Sequence, residues 1–404
     1  MRYLKPILLI FASIIVNCHY SSCNSLWAQE MPLSECATAS VLTCGPGNDF
    51  YTTFGHSALR ITDTAQGIDW VYNYGTFDFN TPHFYWQFTR GRLNYRLSRE
   101  DFDDFMFTYQ YEQRAVWEQR LNLTPQEINN LYVALEWNYR PENRYYLYDI
   151  LRDNCATRVR DMVEASLSHR QLRTSCSRDG EYSYRQLLRS CMRDTLEWWQ
   201  LGISIILGHH ADHLCSAEES MFLPKQMQMH YQHAQIVDVR QRRVEPLTGG
   251  CRQLLPDTRE PLRPSLPPSA PFGALFLLVL LLTLFDKPLR PSPLLRIIDR
   301  TLFFAAGLAG LFLLFMWVGT DHWCTTWNLN ILWASPLLIL VAIFMQHSPR
   351  WALWLQEALF LVSTVYVILG FGGISFALIP IILTLALRVA CLIPRTPRPR
   401  RRQR

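Results

Sequence analysis

One cysteine in this sequence stands where a thiol nucleophile would be placed. Cys155 follows Asp153 and Asn154, and either of these two residues can cap a helix that begins at the cysteine. A helix N-terminus stabilises a thiolate, and Arg152 and Arg158 add positive charge nearby, so we expect a lowered thiol pKa. Such a thiol can attack an acyl group. The alternative is a packed or disulfide-bonded cysteine at a helix start.

A candidate base precedes this cysteine in the chain. His56 lies in a strand-like run, and Gly55 before it allows a substrate or a backbone to approach closely. A lone strand histidine is more often structural, but a strand histidine followed by a helix-initiating cysteine is a layout of permuted thiol enzymes. Catalytic triads are identified by geometry and not by chain order. Asn73 is our candidate for the residue that orients the imidazole; otherwise it satisfies a turn or a strand edge.

The elements around these residues predict an α+β domain. Residues 49–61 and 68–79 are aromatic and β-branched runs separated by turn residues, which is typical of strands. From residue 101 onward the periodicity changes towards helix, and Thr124 followed by Pro125 is a good helix start. We expect one exported domain over residues 29–261.

Cysteine content suggests disulfide bonds in an exported protein. Removing the N-terminal segment leaves seven cysteines in the domain, an odd number, so at least one thiol is left over unless a partner chain supplies another. They are Cys36, Cys44, Cys155, Cys176, Cys191, Cys215 and Cys251.

A histidine-rich stretch resembles a metal site only superficially. His209 and His213 could share one helix face, but the glutamate base of a His-Glu-x-x-His zinc motif is absent. We therefore expect solvated histidines at a helix end, with no metal.

Residues 1–28 have the features of a signal peptide. Basic residues precede an apolar stretch, residues 7–16, which is too short to span a bilayer. We expect cleavage after Ala28; an uncleaved anchor or a lipoprotein signal at Cys18 or Cys23 are the alternatives. In each case the following domain is exported.

The last third of the chain is predicted to be membrane-embedded. After a Pro-rich linker, 262–271, residues 272–404 form a membrane domain with about five helices. The candidate spans are about 270–285, 301–320, 331–345, 358–373 and 374–393. The hydrophobic content of 49% and the aromatic content of 13% exclude both a disordered chain and a purely soluble one.

Charge in this region predicts the orientation. The net charge of +5 arises here, so we assign it to membrane topology and not to nucleic acid. Loop 319–330 has no Lys or Arg, whereas the opposite side and the tail are basic. The basic residues before the tail include Lys287, Arg290, Arg296, Arg300 and Arg350. This bias predicts an external domain and a cytoplasmic C-terminus, and helical spans indicate the inner membrane.

Five motifs occur in an order that resembles a known family. They are Gly45-Pro46-Gly47, Phe54-Gly55-His56-Ser57-Ala58-Leu59-Arg60, Tyr72-Asn73-Tyr74-Gly75, Asp153-Asn154-Cys155-Ala156-Thr157 and Met221-Phe222-Leu223-Pro224. Together they resemble the periplasmic domain of Lnb-type lipoprotein N-acyltransferases, a permuted NlpC/papain-like group. The membrane part, with Asp321-His322 and Asn328-Leu329-Asn330-Ile331-Leu332-Trp333, is similar as well.

The resemblance implies acyl transfer through a thioester, with no cofactor. Cys155 would take an acyl chain from a membrane phospholipid and pass it to the N-terminal amine of a lipoprotein, with His56 as acid and base. We take Asn154 and His322 as candidate substrate-binding residues; for His322, packing at the membrane interface is the alternative. Two other functions stay open: a cysteine peptidase or amidase acting on cell-wall peptides, and a non-enzymatic membrane sensor.

Overall fold

A computed structural model describes residues 32–393 except 175–179, 193–195, 239, 241–242, 261–263, 286–291 and 372. The expected signal peptide, Cys176, the start of the linker and the arginine tail lie outside the described residues, as do Lys287 and Arg290.

The N-terminal region is built on an antiparallel sheet, which confirms the mixed α and β class. Its seven strands are β1 Thr38–Cys44, β2 His56–Asp63, β3 Ile68–Thr76, β4 Asn94–Asp101, β5 Val116–Arg120, β6 Tyr145–Leu147 and β10 Arg252–Leu255. They run in the order β10-β5-β1-β2-β3-β4-β6, and every neighbouring pair is antiparallel. A second sheet joins β7 Arg170–Arg173, β8 Gln235–Asp238 and β9 Arg243–Pro246.

Helices cover both faces of the larger sheet. Pro125–Tyr139 and Cys155–Ser166 pack on one face, around a core that includes Leu59, Leu131 and Val159. Phe102–Tyr111 covers the other face. The remaining helices of this region are Phe84–Thr89, Tyr184–Ser190, Glu197–Ile206, Ala217–Ser220 and Pro224–His233, with short 3₁₀ turns at Phe50–Thr52 and His209–Asp212.

Local sequence signals explain some element boundaries and miss others. Thr124 caps the helix Pro125–Tyr139 in a capping box with Glu127, as its sequence predicted. The strand expected from residue 49 begins only at His56, because the backbone of Thr52 turns back to bond Asp49. The strand β1 was not predicted.

The C-terminal region is helical. Its helices are Ser269–Phe285, Pro293–Val318, Leu337–Phe344, Arg350–Ile368 and Ile379–Leu392. Two of them, Pro293–Val318 and Arg350–Ile368, are long and apolar enough to cross a membrane. This region therefore contains helices suited to a bilayer, although their bounds differ from the predicted spans.

Three details of the membrane prediction are wrong. The span expected at 331–345 contains an α-helix of only eight residues, Leu337–Phe344. Pro336 precedes this helix, and residues 332–336, two of which pack against Gly310, are not helical. The span expected from 358 begins at Arg350, directly after Pro349. Arg296 and Arg300 were assigned to a loop but lie on the helix Pro293–Val318.

The loop after that helix joins the two regions. Asn328 donates to the carbonyls of Ile205 and Ile206 at 2.8 and 2.9 Å, at the C-terminal end of the helix Glu197–Ile206. The buried guanidinium of Arg185 bonds the carbonyls of the same chain turn and the carboxylate of Asp212. The loop 319–330 therefore lies on the same side of the helical region as the sheet domain.

Candidate active site

His56 and Asn73 meet at one end of the central strands. His56 is the first residue of β2 and pairs across the sheet with Cys44 of β1, while Asn73 lies near the end of β3. Their side chains are in contact, with His56 Nε2 and Asn73 Oδ1 separated by 3.0 Å. Asn73 Nδ2 in turn donates to Glu100 Oε1 on β4 at 2.8 Å. The three side chains form a continuous hydrogen-bonded chain across three strands.

This chain determines which nitrogen of His56 carries the proton. Glu100 accepts a hydrogen bond from the amide nitrogen of Asn73; burial raises the pKa of this carboxyl, and the hydrogen bond opposes that shift. The amide oxygen of Asn73 therefore faces the imidazole, and His56 Nε2 must be the protonated donor. His56 Nδ1 is left with its lone pair, which is the form that a general base needs.

Cys155 lies at the start of its helix, capped as the sequence suggested. Asn154 is the cap, and its Oδ1 accepts from the N–H groups of Ala156 and Thr157 at 2.9 and 3.0 Å. The backbone N–H of Ser57 faces the sulfur and acts to lower the pKa of the thiol. Because Ser57 follows His56 in β2, the sulfur lies at the same end of β2 as the imidazole.

The expected low pKa of the thiol is wrong. Burial raises the pKa of Cys155, and the hydrogen bonds from the Ser57 N–H and the Tyr148 hydroxyl only partly oppose that effect. The two flanking arginines do not compensate, since their guanidinium groups are engaged elsewhere. Arg152 lies 3.7 Å above the ring of Trp323, and Arg158 forms a two-pronged ion pair with Asp153.

Burial also keeps His56 neutral. Desolvation lowers the pKa of His56 to about 4, and the hydrogen bond that His56 donates to Asn73 opposes this shift. With the histidine pKa lowered and the cysteine pKa raised, the resting pair is a neutral thiol and a neutral imidazole. These two pKa shifts favour proton transfer during the attack over a preformed ion pair of thiolate and imidazolium.

The two proposed substrate contacts have structural partners. Besides capping, Asn154 Nδ2 donates to the carbonyls of Ile150 and Phe222, so both donors of this buried amide are engaged. His322 lies in loop 319–330, with Nε2 3.0 Å from the carbonyl of Phe88. These contacts give both residues positioning roles, and direct contact of either with a substrate stays a prediction.

The histidine-rich stretch lies apart from His56 and Cys155, whereas Cys44 pairs with His56 across β1 and β2. His209 belongs to the 3₁₀ turn His209–Asp212, and His213 contacts Glu219 at 3.2 Å. Within the described ranges, no three His, Cys, Asp or Glu side chains are grouped as a metal site requires. Disulfide bonds were expected in this domain, but its six described cysteines are free thiols.

Sequence reasoning missed Glu100, Tyr148 and the role of Gly75. Glu100 and Tyr148 are brought to the site only by strand pairing and by the fold of the chain. No sequence motif marks either residue. Gly75 has φ +91°, and a Cβ added there would lie 3.2 Å from the Tyr148 ring and 3.7 Å from Cys155 Cβ. A glycine in the Tyr72-Asn73-Tyr74-Gly75 motif was the signal that the backbone approaches a reactive group closely.

Comparison with known families covers both regions. Residues 25–190 match the model of the Lnb N-terminal periplasmic domain, and residues 261–396 match that of the Lnb transmembrane domain. The first match contains Cys155, His56, Asn73, Glu100 and Tyr148. Searches of curated proteins and of solved structures gave no match.

Proposed function

The chain belongs to the Lnb family, and from this membership and the geometry around Cys155 we propose that it is a cysteine-dependent lipoprotein N-acyltransferase. It is a lipoprotein-processing membrane protein with a periplasmic N-terminal part. The observation that carries the proposal is the hydrogen-bonded chain from Glu100 through Asn73 to His56, at the end of β2 where the Ser57 N–H faces the sulfur of Cys155.

The first half-reaction loads the enzyme. His56 Nδ1 takes the thiol proton as the Cys155 sulfur attacks the ester carbonyl of a membrane phospholipid. A sulfur–carbon bond forms, the ester carbon–oxygen bond breaks, and His56 returns the proton to the oxygen of the departing lysophospholipid. The products are an acyl-thioester on Cys155 and a lysolipid.

The second half-reaction transfers the acyl chain. The N-terminal amine of a diacylglyceryl-cysteine on a lipoprotein attacks the thioester, forming an amide as the carbon–sulfur bond breaks. His56 removes the proton from the attacking nitrogen and returns it to sulfur, so the neutral pair is restored. A ping-pong cycle follows, with no cofactor.

Two donors are placed to stabilise the oxyanion in both halves. The Cys155 N–H belongs to the first turn of its helix, where N–H groups have no carbonyl partner within the helix, so it can donate to a carbonyl bonded to the sulfur. The Tyr148 hydroxyl bonds the same sulfur and keeps its proton, because burial raises the pKa of this phenol well above its usual value.

The finer architecture belongs to the same proposal. We propose a circularly permuted papain-like domain over residues 29–261, a linker over 262–271, and five membrane helices over 272–404. We further place the protein in the inner membrane, with its C-terminus in the cytoplasm. Contact of the lysine- and arginine-free loop 319–330 with the N-terminal region supports this orientation.

The test is mass spectrometry of lipoprotein N-termini from a host that lacks other N-acylation. Wild type, Cys155→Ala and Cys215→Ala would be compared, because Cys215 is a buried cysteine of the same domain outside the site. We expect triacylated N-termini with the wild type and with Cys215→Ala, and diacylated N-termini with Cys155→Ala.

Other outcomes separate the alternatives. Diacylated N-termini in all strains, with the protein folded in the membrane, refute the transferase and leave cell-wall peptides to be tested as substrates. Triacylated N-termini with Cys155→Ala would exclude the thioester mechanism.

A further inference from the structure

A row of aromatic rings connects the protein surface to the reactive cysteine. Tyr148, whose hydroxyl bonds the Cys155 sulfur, stacks on Tyr95 with ring centroids 4.5 Å apart. Tyr95 contacts Phe77 at 5.4 Å, and Phe77 contacts Phe84 at 5.8 Å. The row therefore runs from the active site to the helix Phe84–Thr89.

The outer end of this row is exposed although it is strongly apolar. None of the residues of the helix Phe84–Thr89 is buried, and its sequence is Phe-Tyr-Trp-Gln-Phe-Thr. Phe79 and Tyr85, both in contact with Phe84, are 58% and 79% exposed. Water is an unfavourable surrounding for so many clustered aromatic rings, so the cluster indicates an apolar partner.

The position of the helix identifies that partner as the bilayer. Trp86 stacks on Phe315, near the end of the membrane helix Pro293–Val318, with ring centroids 5.9 Å apart. Just after the aromatic helix, Arg92 forms an ion pair with Asp321, which lies in the loop that follows the helix Pro293–Val318. The aromatic helix thus lies at the level where a membrane helix leaves the bilayer, where Trp and Tyr are favoured.

We propose that the helix Phe84–Thr89 inserts its aromatic side chains into the outer leaflet, and that the ring row is the path by which a phospholipid acyl chain reaches Cys155. This inference rests on the proposed acyl transfer and adds the route of the donor. The ester bond of a phospholipid lies below the headgroup, so an enzyme on the membrane surface must draw the chain out of the leaflet. The apolar surface of successive aromatic rings replaces the contacts that the chain loses when it leaves the other lipid tails.

The test compares two double variants that are matched in residue type. The rim variant, Phe79→Ser with Tyr85→Ser, removes exposed rings at the outer end of the row. The control, Phe107→Ser with Tyr111→Ser, removes rings that are 70% and 82% exposed on the helix covering the opposite face of the sheet. All four side chains are exposed, so neither variant is expected to unfold the protein.

Each protein would be offered two acyl donors, and the thioester on Cys155 would be followed by intact-protein mass spectrometry. The first donor is a vesicle of phosphatidylethanolamine and phosphatidylglycerol with palmitoyl and oleoyl chains. The second is p-nitrophenyl acetate, which is water-soluble and needs no path from the bilayer. We expect the rim variant to be acylated from vesicles about tenfold more slowly, equivalent to about 1.4 kcal/mol, with its reaction with the soluble ester unchanged.

Three results would overturn the inference. They are a wild-type rate of the rim variant with vesicles, an equal loss in the control, and an equal loss with the soluble ester. Failure of the proposed function would be recognised separately in the wild type, as acylation by the soluble ester but none from vesicles.

Discussion

Removing the amide of Asn73 should slow thioester formation without unfolding the protein. The His56–Asn73 contact is a hydrogen bond of ordinary length, 3.0 Å, to a neutral imidazole in the resting site. As His56 takes the thiol proton, the same bond becomes charge-assisted, and its net contribution rises from about 1 to about 1.5–3 kcal/mol. The bond therefore stabilises the transition state by about 0.5–2 kcal/mol more than the ground state, and Asn73→Ala should be about 2- to 30-fold slower.

The pH dependence gives this prediction a sign. In the wild type, acylation should fall to half only near pH 4, because the pKa of His56 is lowered to about 4 by burial. The hydrogen bond to Asn73 raises this pKa, so the acylation rate of Asn73→Ala should fall to half at a lower pH than that of the wild type. In Asn73→Asp, a carboxylate facing the imidazole should raise the pKa of His56, so the acylation rate should fall to half at a higher pH.

The assay is a single turnover with p-nitrophenyl acetate at a series of pH values, with the acyl-thioester measured by mass. Asn138→Ala is the matched control, since Asn138 donates to the Tyr74 hydroxyl at 2.9 Å and does not touch His56. An Asn73→Ala protein with the wild-type rate and the wild-type acid limb would refute the orienting role. An equal loss in Asn138→Ala would attribute the effect to packing.

Three further variants probe the structure around the site. Asn154→Ala removes a helix cap and two further hydrogen bonds, so it should destabilise the protein by about 2 kcal/mol, measured as a lower thermal midpoint. Asp299→Ala leaves the buried Arg388 without its carboxylate and should cost about 3–5 kcal/mol, whereas Asp299→Leu combined with Arg388→Met should recover most of the loss in the same melts. Arg92→Ala breaks a solvent-exposed ion pair with Asp321 and should leave the thermal midpoint unchanged, which would be contradicted by a clear drop.

Local features of the site could be predicted from the sequence. The cap at Asn154 and the helix that begins at Cys155 follow from side-chain chemistry within a few residues, and His56 lies on a strand as expected. The raised pKa of the thiol could not be predicted, because the direction of the shift depends on burial by segments that are distant in the sequence. The role of Glu100 could not be predicted for a similar reason, since only the pairing of β3 with β4 brings this residue to Asn73.

The membrane region shows the same division. Hydropathy identified the apolar segments, because composition within a segment is local information. Hydropathy placed the start of the helix Pro293–Val318 too late, after Arg296 and Arg300, because charged residues usually mark the end of a membrane span. Long-range pairing removes that signal: Asp299 of this helix is buried against Arg388, with its oxygens 2.6 and 2.9 Å from the guanidinium.

The low pKa of His56 also restricts the form in which the acceptor amine can react. An α-amino group has a pKa of about 7.7–8.0, so a base with a pKa of about 4 cannot deprotonate the ammonium form. The amine must arrive neutral, and His56 can take its proton only after the carbon–nitrogen bond has formed and the nitrogen has become acidic. Acyl transfer from isolated acyl-enzyme should therefore increase with pH up to about 8, while acylation is constant above about pH 5. Rapid mixing of acyl-enzyme with a diacylglyceryl-cysteine peptide at different pH values measures this difference. A transfer rate that is constant from pH 5 to 8 would show that the site itself deprotonates the ammonium, which a neutral and desolvated His56 could not do.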